Sequence, residues 1–238
     1  QQDAPYTQYM YNTVSVNPAY AGSRGHLSIA ALYRNQWLGL DGAPETQTLN
    51  LHTPVGYRGV GLGLSIVNDK IGPTSETYFD VDFSYTIQTS WEGRLSFGLK
   101  AGVYYHTDRF YAGLSAPRIL ETTHFDTSSI STAKEQMTLY LITGYVWDLN
   151  PMLKFKPALL TKAVQGAPLQ LDLSANFMFN EKFVAGVAYR WDAAFSGLFG
   201  FMLSDQFMVG LAYDREITEL GAALRLSSGT ISSEISGT

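Results

Sequence analysis

Thr77-Tyr78-Phe79-Asp80-Val81-Asp82-Phe83-Ser84-Tyr85-Thr86-Ile87 alternates without a break. Side chains along a β-strand point to opposite faces with period two. Thr77, Phe79, Val81, Phe83, Tyr85 and Ile87 therefore share one face, opposite Tyr78, Asp80, Asp82, Ser84 and Thr86. Three further stretches repeat the pattern. In 58–67, Val60, Leu62, Leu64 and Ile66 oppose Gly59, Gly61, Gly63 and Ser65. In 169–179, Leu169, Leu171, Leu173, Ala175, Phe177 and Phe179 oppose Gln170, Asp172, Ser174, Asn176 and Met178. In 153–162, Leu153, Phe155, Leu159 and Thr161 oppose Lys154, Lys156, Ala158, Leu160 and Lys162. No helical period of 3.6 residues runs to comparable length, so the chain reads as all-β.

Composition says where these strands live. Of 238 residues, 16% are charged and 13% aromatic, against roughly 25% charged in a soluble domain. No stretch approaches the ~18 apolar residues of a spanning helix; the longest, 193–203, is interrupted by Ser and Gly, and mean hydropathy is −0.04. Lipid tolerates no unsatisfied backbone, which leaves a closed β-barrel as the spanning solution. A soluble β-sandwich or lectin-like fold is the alternative, but its water-facing side would be rich in Lys, Glu and Thr. Here that side is often Gly, Ala and Ser, which suits a crowded lumen. The absence of Cys excludes thiolate metal sites and cysteine nucleophiles. A net charge of −5 argues against nucleic acid.

Connections alternate in length. Tight turns are expected at 54–57, 90–93, 106–108, 148–151, 180–181 and 204–206, and longer loops at 38–45, 69–75, 117–134, 163–167, 191–194 and 214–219. This parity describes an antiparallel up-and-down barrel of about fourteen strands over 25–226, the last at 220–226, with short periplasmic turns and longer outer loops. Aromatics gather at strand ends, as an interfacial girdle requires. Two places break the pattern. Ala101-Gly102-Val103-Tyr104 runs one strand into the next where parity asks for a long loop, so residues are expected to be missing there. Residues 227–238 form a polar tail with no assigned place. The first 24 residues, with Tyr6, Tyr9, Tyr11 and Tyr20, are too aromatic for a free tail and are expected to pack in the lumen or at the periplasmic mouth; a disordered leader is the alternative. The opening Gln1-Gln2-Asp3 reads as a mature start after a cleaved export signal.

Several blocks carry a resemblance. Pro5-Tyr6-Thr7-Gln8-Tyr9-Met10-Tyr11-Asn12 and Asn17-Pro18-Ala19-Tyr20-Ala21-Gly22, then Leu32-Tyr33-Arg34-Asn35-Gln36-Trp37, Asp41-Gly42-Ala43-Pro44, Val67-Asn68-Asp69-Lys70-Ile71-Gly72-Pro73 and the 105–115 stretch resemble the PorP/SprF family of Bacteroidetes. The resemblance implies a non-enzymatic outer-membrane barrel of the type IX secretion system, linked to secretion, gliding or retention of adhesins. Implied partners are outer-membrane lipid, the C-terminal domain of a secreted surface protein, and periplasmic components of the machine. No cofactor is implied. A passive porin or apolar-solute transporter is the competing function.

Candidate sites follow. Thr7, Gln8, Tyr9, Asn12, Asn17, Pro18, Ala19 and Tyr20 are expected to plug the barrel or touch a partner. Trp37, Asp41, Gly42, Asn68, Asp69, Lys70, Pro73 and Arg118 are the outer-loop candidates for docking a secreted protein. Asp80, Asp82, Arg94, Lys100, Lys154, Lys156, Asp172 and Arg190 are expected to face the lumen. A catalytic acid pair among these charges is the lesser reading beside a network lining a barrel. His26, His52, His106 and His124 show no metal-ligand spacing.

Overall fold

A computed structural model describes residues 9, 12–36, 42–56, 58–117, 137–204, 206–217 and 228–236. These hold fifteen strand segments: β1 (Ser28–Asn35), β2 (Glu45–Val55), β3 (Val60–Ile71), β4 (Thr74–Gln88), β5 (Arg94–Gly98), β6 (Gly102–His106), β7 (Phe110–Ser115), β8 (Thr138–Tyr145), β9 (Trp147–Asn150), β10 (Leu153–Val164), β11 (Gln170–Phe179), β12 (Phe183–Arg190), β13 (Ala194–Ser204), β14 (Phe207–Glu216) and β15 (Ser228–Ser236). All belong to one antiparallel sheet in which sequence neighbours pair. β8 and β9 run as one strand interrupted at Val146, whose N–H donates to the Arg109 carbonyl at 2.7 Å. Both pair with β10, so the fifteen segments occupy fourteen positions. β10 also pairs with β11 from Leu153↔Phe179 to Lys162↔Gln170, and β15 pairs with both β14 and β1.

The two faces are inverted relative to a soluble protein. Outward residues are large and apolar: Phe79 is 69% exposed and Val81 66%. Inward residues are small or polar and buried, among them Asn50, Ser65, Asp82, Ser84, Ser96, Asp172, Ser174, Asn176 and Ser196. Both faces follow the period-two reading. Aromatic rings line the short-turn rim from Tyr145 through Trp147 and Phe155 to Phe177, with successive centroids 4.9, 5.8 and 4.8 Å apart.

Three expectations change. The break near Gly102 is a three-residue turn, Leu99-Lys100-Ala101, and comes before Gly102. It lacks Gly or Asn, but Ala101 takes φ +46°, and Lys100 is tied to β4 by two carboxylates. The expected loop 69–75 is a two-residue connection, Gly72-Pro73, between strands longer than foreseen. Gly72 supplies φ +57°, and Asn68, Asp69 and Lys70 are strand residues above the apolar band. The last described strand is β15, in the polar tail, while 220–226 lies outside the described residues. Two flanking strands with open hydrogen-bonding edges impose a strand on Ser228–Ser236 despite its weak apolar pattern.

Candidate functional site

The inward face of the sheet holds the N-terminal segment. Two single 3₁₀ turns, Thr13–Ser15 and Pro18–Tyr20, give it its shape. Asn17 sets the second turn: its Oδ1 accepts from the Ala19 N–H at 3.0 Å, and Pro18 occupies the first helical position, where a missing N–H costs least. The Thr13 hydroxyl donates to the Tyr9 carbonyl at 3.1 Å.

Wall residues from several strands hold this segment by hydrogen bonds. From β2, Asn50 Nδ2 donates to Asn12 Oδ1 at 2.6 Å, and His52 Nδ1 accepts from the Gly22 N–H at 3.2 Å. From β4, the Ser84 hydroxyl donates to the Ala21 carbonyl at 2.6 Å. Asn17 Nδ2 donates to the Val103 carbonyl of β6 at 3.0 Å. The Ser115 hydroxyl of β7 donates to the Val16 carbonyl at 2.5 Å. Tyr9 reaches β11, where its hydroxyl lies 3.3 Å from both the Asp172 carbonyl and the Ser174 hydroxyl. Its ring is fully buried with Val16, Tyr140, Ile142, Ala158 and Leu160. That burial pushes the Tyr9 phenol above the usual tyrosine range. Tyr20 meets His52 and Tyr104 edge-on, each at 5.3 Å.

Glycines make the seat. A Cβ at Gly61 would overlap the Ala21 carbonyl and the Ser84 hydroxyl. One at Gly98 would lie 2.5 Å from the Ala19 nitrogen, and one at Gly102 2.5 Å from Asn17 Oδ1. These inward glycines lie where the segment's backbone touches the wall.

The other candidates divide. Asp80, Asp82 and Lys100 come together: Lys100 Nζ is 2.8 Å from Asp80 Oδ1 and 3.3 Å from Asp82 Oδ1. Arg190 Nε is 2.9 Å from Asp172 Oδ1, and Gln170 Nε2 is 3.1 Å from its other oxygen. Lys156 Nζ stands 5.3 Å over the Tyr111 ring. Lys154 is at the short-turn rim, 2.6 Å from Glu181, and this hydrogen bond lowers the Glu181 carboxyl. Arg94 is exposed at the same rim, where with His106 and Gly22 it lines a cavity of about 130 Å³.

At the opposite rim, the Gly42 carbonyl accepts from the Gly72 N–H at 3.0 Å, and the Thr46 hydroxyl donates to Asp69 at 2.8 Å. These contacts brace the β3–β4 tip that carries Asn68, Asp69, Lys70 and Pro73. Thr7, Gln8, Trp37, Asp41 and Arg118 lie outside the described residues. The sequence reading named the segment but not the residues that hold it. Asn50, His52 and Ser115 were missed. Their only signal was a polar residue on the inward side of a strand. Among the described residues, no three His, Asp or Glu side chains cluster as a metal site.

Comparisons with known proteins agree with this architecture. The family model for "Type IX secretion system membrane protein PorP/SprF" matches residues 1–104 and 99–236, two segments that meet at the Leu99–Ala101 turn. The outer membrane protein Omp33 of Acinetobacter baumannii superposes with a TM-score of 0.55 at 11% identity, over 89% of this chain and 98% of that one. At that identity the likeness shows the fold alone. The KdgM porin aligns over 89% of this chain and 99% of its own at 10% identity, with a TM-score of 0.48. An outer membrane channel from Pseudomonas putida F1 aligns over 91% and 96% at 9% identity, also with a TM-score of 0.48. No curated protein matches the sequence significantly.

Proposed function

Since this chain belongs to the PorP/SprF family of type IX secretion system membrane proteins, we propose that it is a plugged outer-membrane barrel that holds or receives a secreted surface protein. Membership places it in the outer membrane of a Gram-negative cell, with a part in type IX secretion or gliding and no enzymatic role. In our reading the sheet closes as a fourteen-position barrel over residues 28–236, with the N-terminal segment as a built-in plug. The β10–β11 and β1–β15 pairings support closure. The secreted protein, through its C-terminal domain, docks on the rim that carries Gly42, Asn68, Asp69, Lys70 and Pro73, with Trp37, Asp41 and Arg118 as neighbours in sequence. Periplasmic components of the machine meet the short-turn rim, from which the N-terminal segment enters.

One observation carries this reading over a porin: the lumen is crossed by a segment hydrogen-bonded to β2, β4, β6, β7 and β11. A segment held at so many points narrows any open path through the barrel. The test pairs two measurements. In planar bilayers the intact protein is expected to carry no steady current, and cells lacking the barrel are expected to shed a surface adhesin into the medium. A large, steady conductance with the adhesin still on the cells would establish the porin reading instead.

A further inference from the structure

On the outward side of β1, β2 and β3 lies a groove of about 430 Å³. The strand register lays out its walls. Ala31 pairs with Leu49, Leu49 with Ile66, and Ile66 with Phe79. Ala31 is small beside three large neighbours, so the apolar wall is dented at β1. One register step nearer the loop rim, Tyr33 pairs with Gln47 and Gln47 with Asn68, and these three form the upper lip of the groove.

The lip falls where the outward side chains change character. Along β1 they run Ile29, Ala31, Tyr33 and Asn35; along β2, Leu51, Leu49, Gln47 and Glu45; along β3, Leu64, Ile66, Asn68 and Lys70. On all three strands the change from aliphatic to polar comes at the same register step. In a membrane barrel such a step marks the top of the apolar band, and the rim opposite the short turns faces outward. The groove therefore crosses from hydrocarbon to headgroups. Ala31, Leu49 and Ile66 lie on one side of that boundary, and Tyr33, Gln47 and Asn68 on the other. Asn68 Nδ2 donates to the Thr77 hydroxyl at 2.8 Å. The Tyr33 hydroxyl and the Gln47 amide have no hydrogen-bond partner among the described residues.

We propose that this groove is a lipid-binding site. It takes one acyl chain of a membrane lipid alongside Ala31 and holds the ester and headgroup at Tyr33, Gln47 and Asn68. The inference rests on the outer-membrane placement of the family and not on the identity of the secreted partner. Moving an acyl chain from bulk lipid to the wall gains no hydrophobic free energy, so packing and hydrogen bonds must hold it. A dent touches the chain on more sides than a flat wall does. The lip adds hydrogen bonds in a medium with little competing water. A molecule that is apolar below and polar above meets both halves of the groove at once. A second barrel presents a convex wall that bridges such a dent, whereas an acyl chain can bend into it. The headgroup lies on the membrane side of the rim proposed above for the secreted protein, which leaves the tip at Gly42 and Pro73 to that partner.

The test takes the folded barrel from phosphatidylethanolamine vesicles into mild detergent and weighs it by native mass spectrometry. The parent is expected to keep one phosphatidylethanolamine. Ala31→Trp fills the dent and is expected to lower retention at least tenfold. Val187→Trp, outward on the distant β12, is expected to keep the lipid. Gln47→Leu leaves the groove and removes the lip amide; it is expected to lower retention about fivefold, the effect of one hydrogen bond. A parent that keeps no lipid, unchanged retention in Ala31→Trp, equal loss in Val187→Trp, or a barrel dimer that Ala31→Trp dissolves would overturn the proposal. Where Ala31→Trp yields no folded barrel, Ala31→Leu and Gln47→Leu carry the test, and unchanged retention in both would overturn it.

Discussion

On β3 and β4, the outward Leu62, Leu64, Phe79 and Val81 are exposed, and so are Val187, Phe195, Phe199 and Leu211 on β12, β13 and β14. Turned inward, the two regions part. The first lines the lumen with Gly61, Gly63, Asp82 and Ser84, and receives the N-terminal segment. The second sets Val184, Ala188, Ala194, Leu198 and Ala212 beside the polar Ser196 and Asp214, and Ala188, Leu198 and Ala212 bury one another. One solvent, lipid, dictates the outer face everywhere. The inner face is dictated locally by what lies against it. A wall that must hold a polypeptide supplies hydroxyls, amides and room. A wall with no described segment against it fills more of the space with its own apolar side chains.

This contrast can be broken most sharply at the glycines. Gly98→Leu drives a side chain into the backbone at Ala19. It is expected to expel the segment and turn a silent bilayer trace into a steady current. Gly197→Leu, where a Cβ meets nothing within 4 Å, should leave the trace silent. The ion pair between β11 and β12, at the edge of the second region, comes next. Arg190→Leu leaves Asp172 buried without its cation and should cost about 3–5 kcal/mol in urea unfolding from micelles. Tyr9→Phe removes one hydroxyl from the β11 contact and should weaken docking by about 1 kcal/mol, read as faster proteolysis of the N-terminus.

A pH series sharpens the same point. The Tyr9 phenol is raised in the docked state, so docking is at full strength below the free tyrosine value of about 10. It weakens as pH rises beyond that value, because only the undocked segment ionises freely. Release of the N-terminus to protease should grow between pH 9 and 11 in the parent and not in Tyr9→Phe. Smallest of all, Glu181→Gln breaks a solvent-facing pair with Lys154 at the rim and should shift neither unfolding nor current.

The outer face was legible in the sequence because one environment acts on every second residue. Val60 to Ile66 and Phe79 to Ile87 show it directly. The lumen was legible only as a class of small residues. Gly61 and Gly98 read as crowding, but that Ala21 and Ala19 do the crowding depends on contacts across 40 residues or more. Asn50, His52 and Ser115 carried no local signal, since a polar inward residue suits water as well as it suits a carbonyl. The Leu99–Ala101 turn was misplaced because it uses no turn residue and relies on Lys100 reaching Asp80. The β15 strand was missed because its neighbours impose it, and its own sequence does not.

The pairing of Ser28 with Ser236 also imposes an order of assembly. The first strand waits for the last, across nearly the whole chain, and such distant pairing is slow. If the sheet closes as proposed, the N-terminal segment must already be in place when that seam zips shut, because afterwards strands flank it on both sides of the seam. Under the proposed closure, barrel insertion and plug loading become a single event, with the nine residues of β15 as its latch.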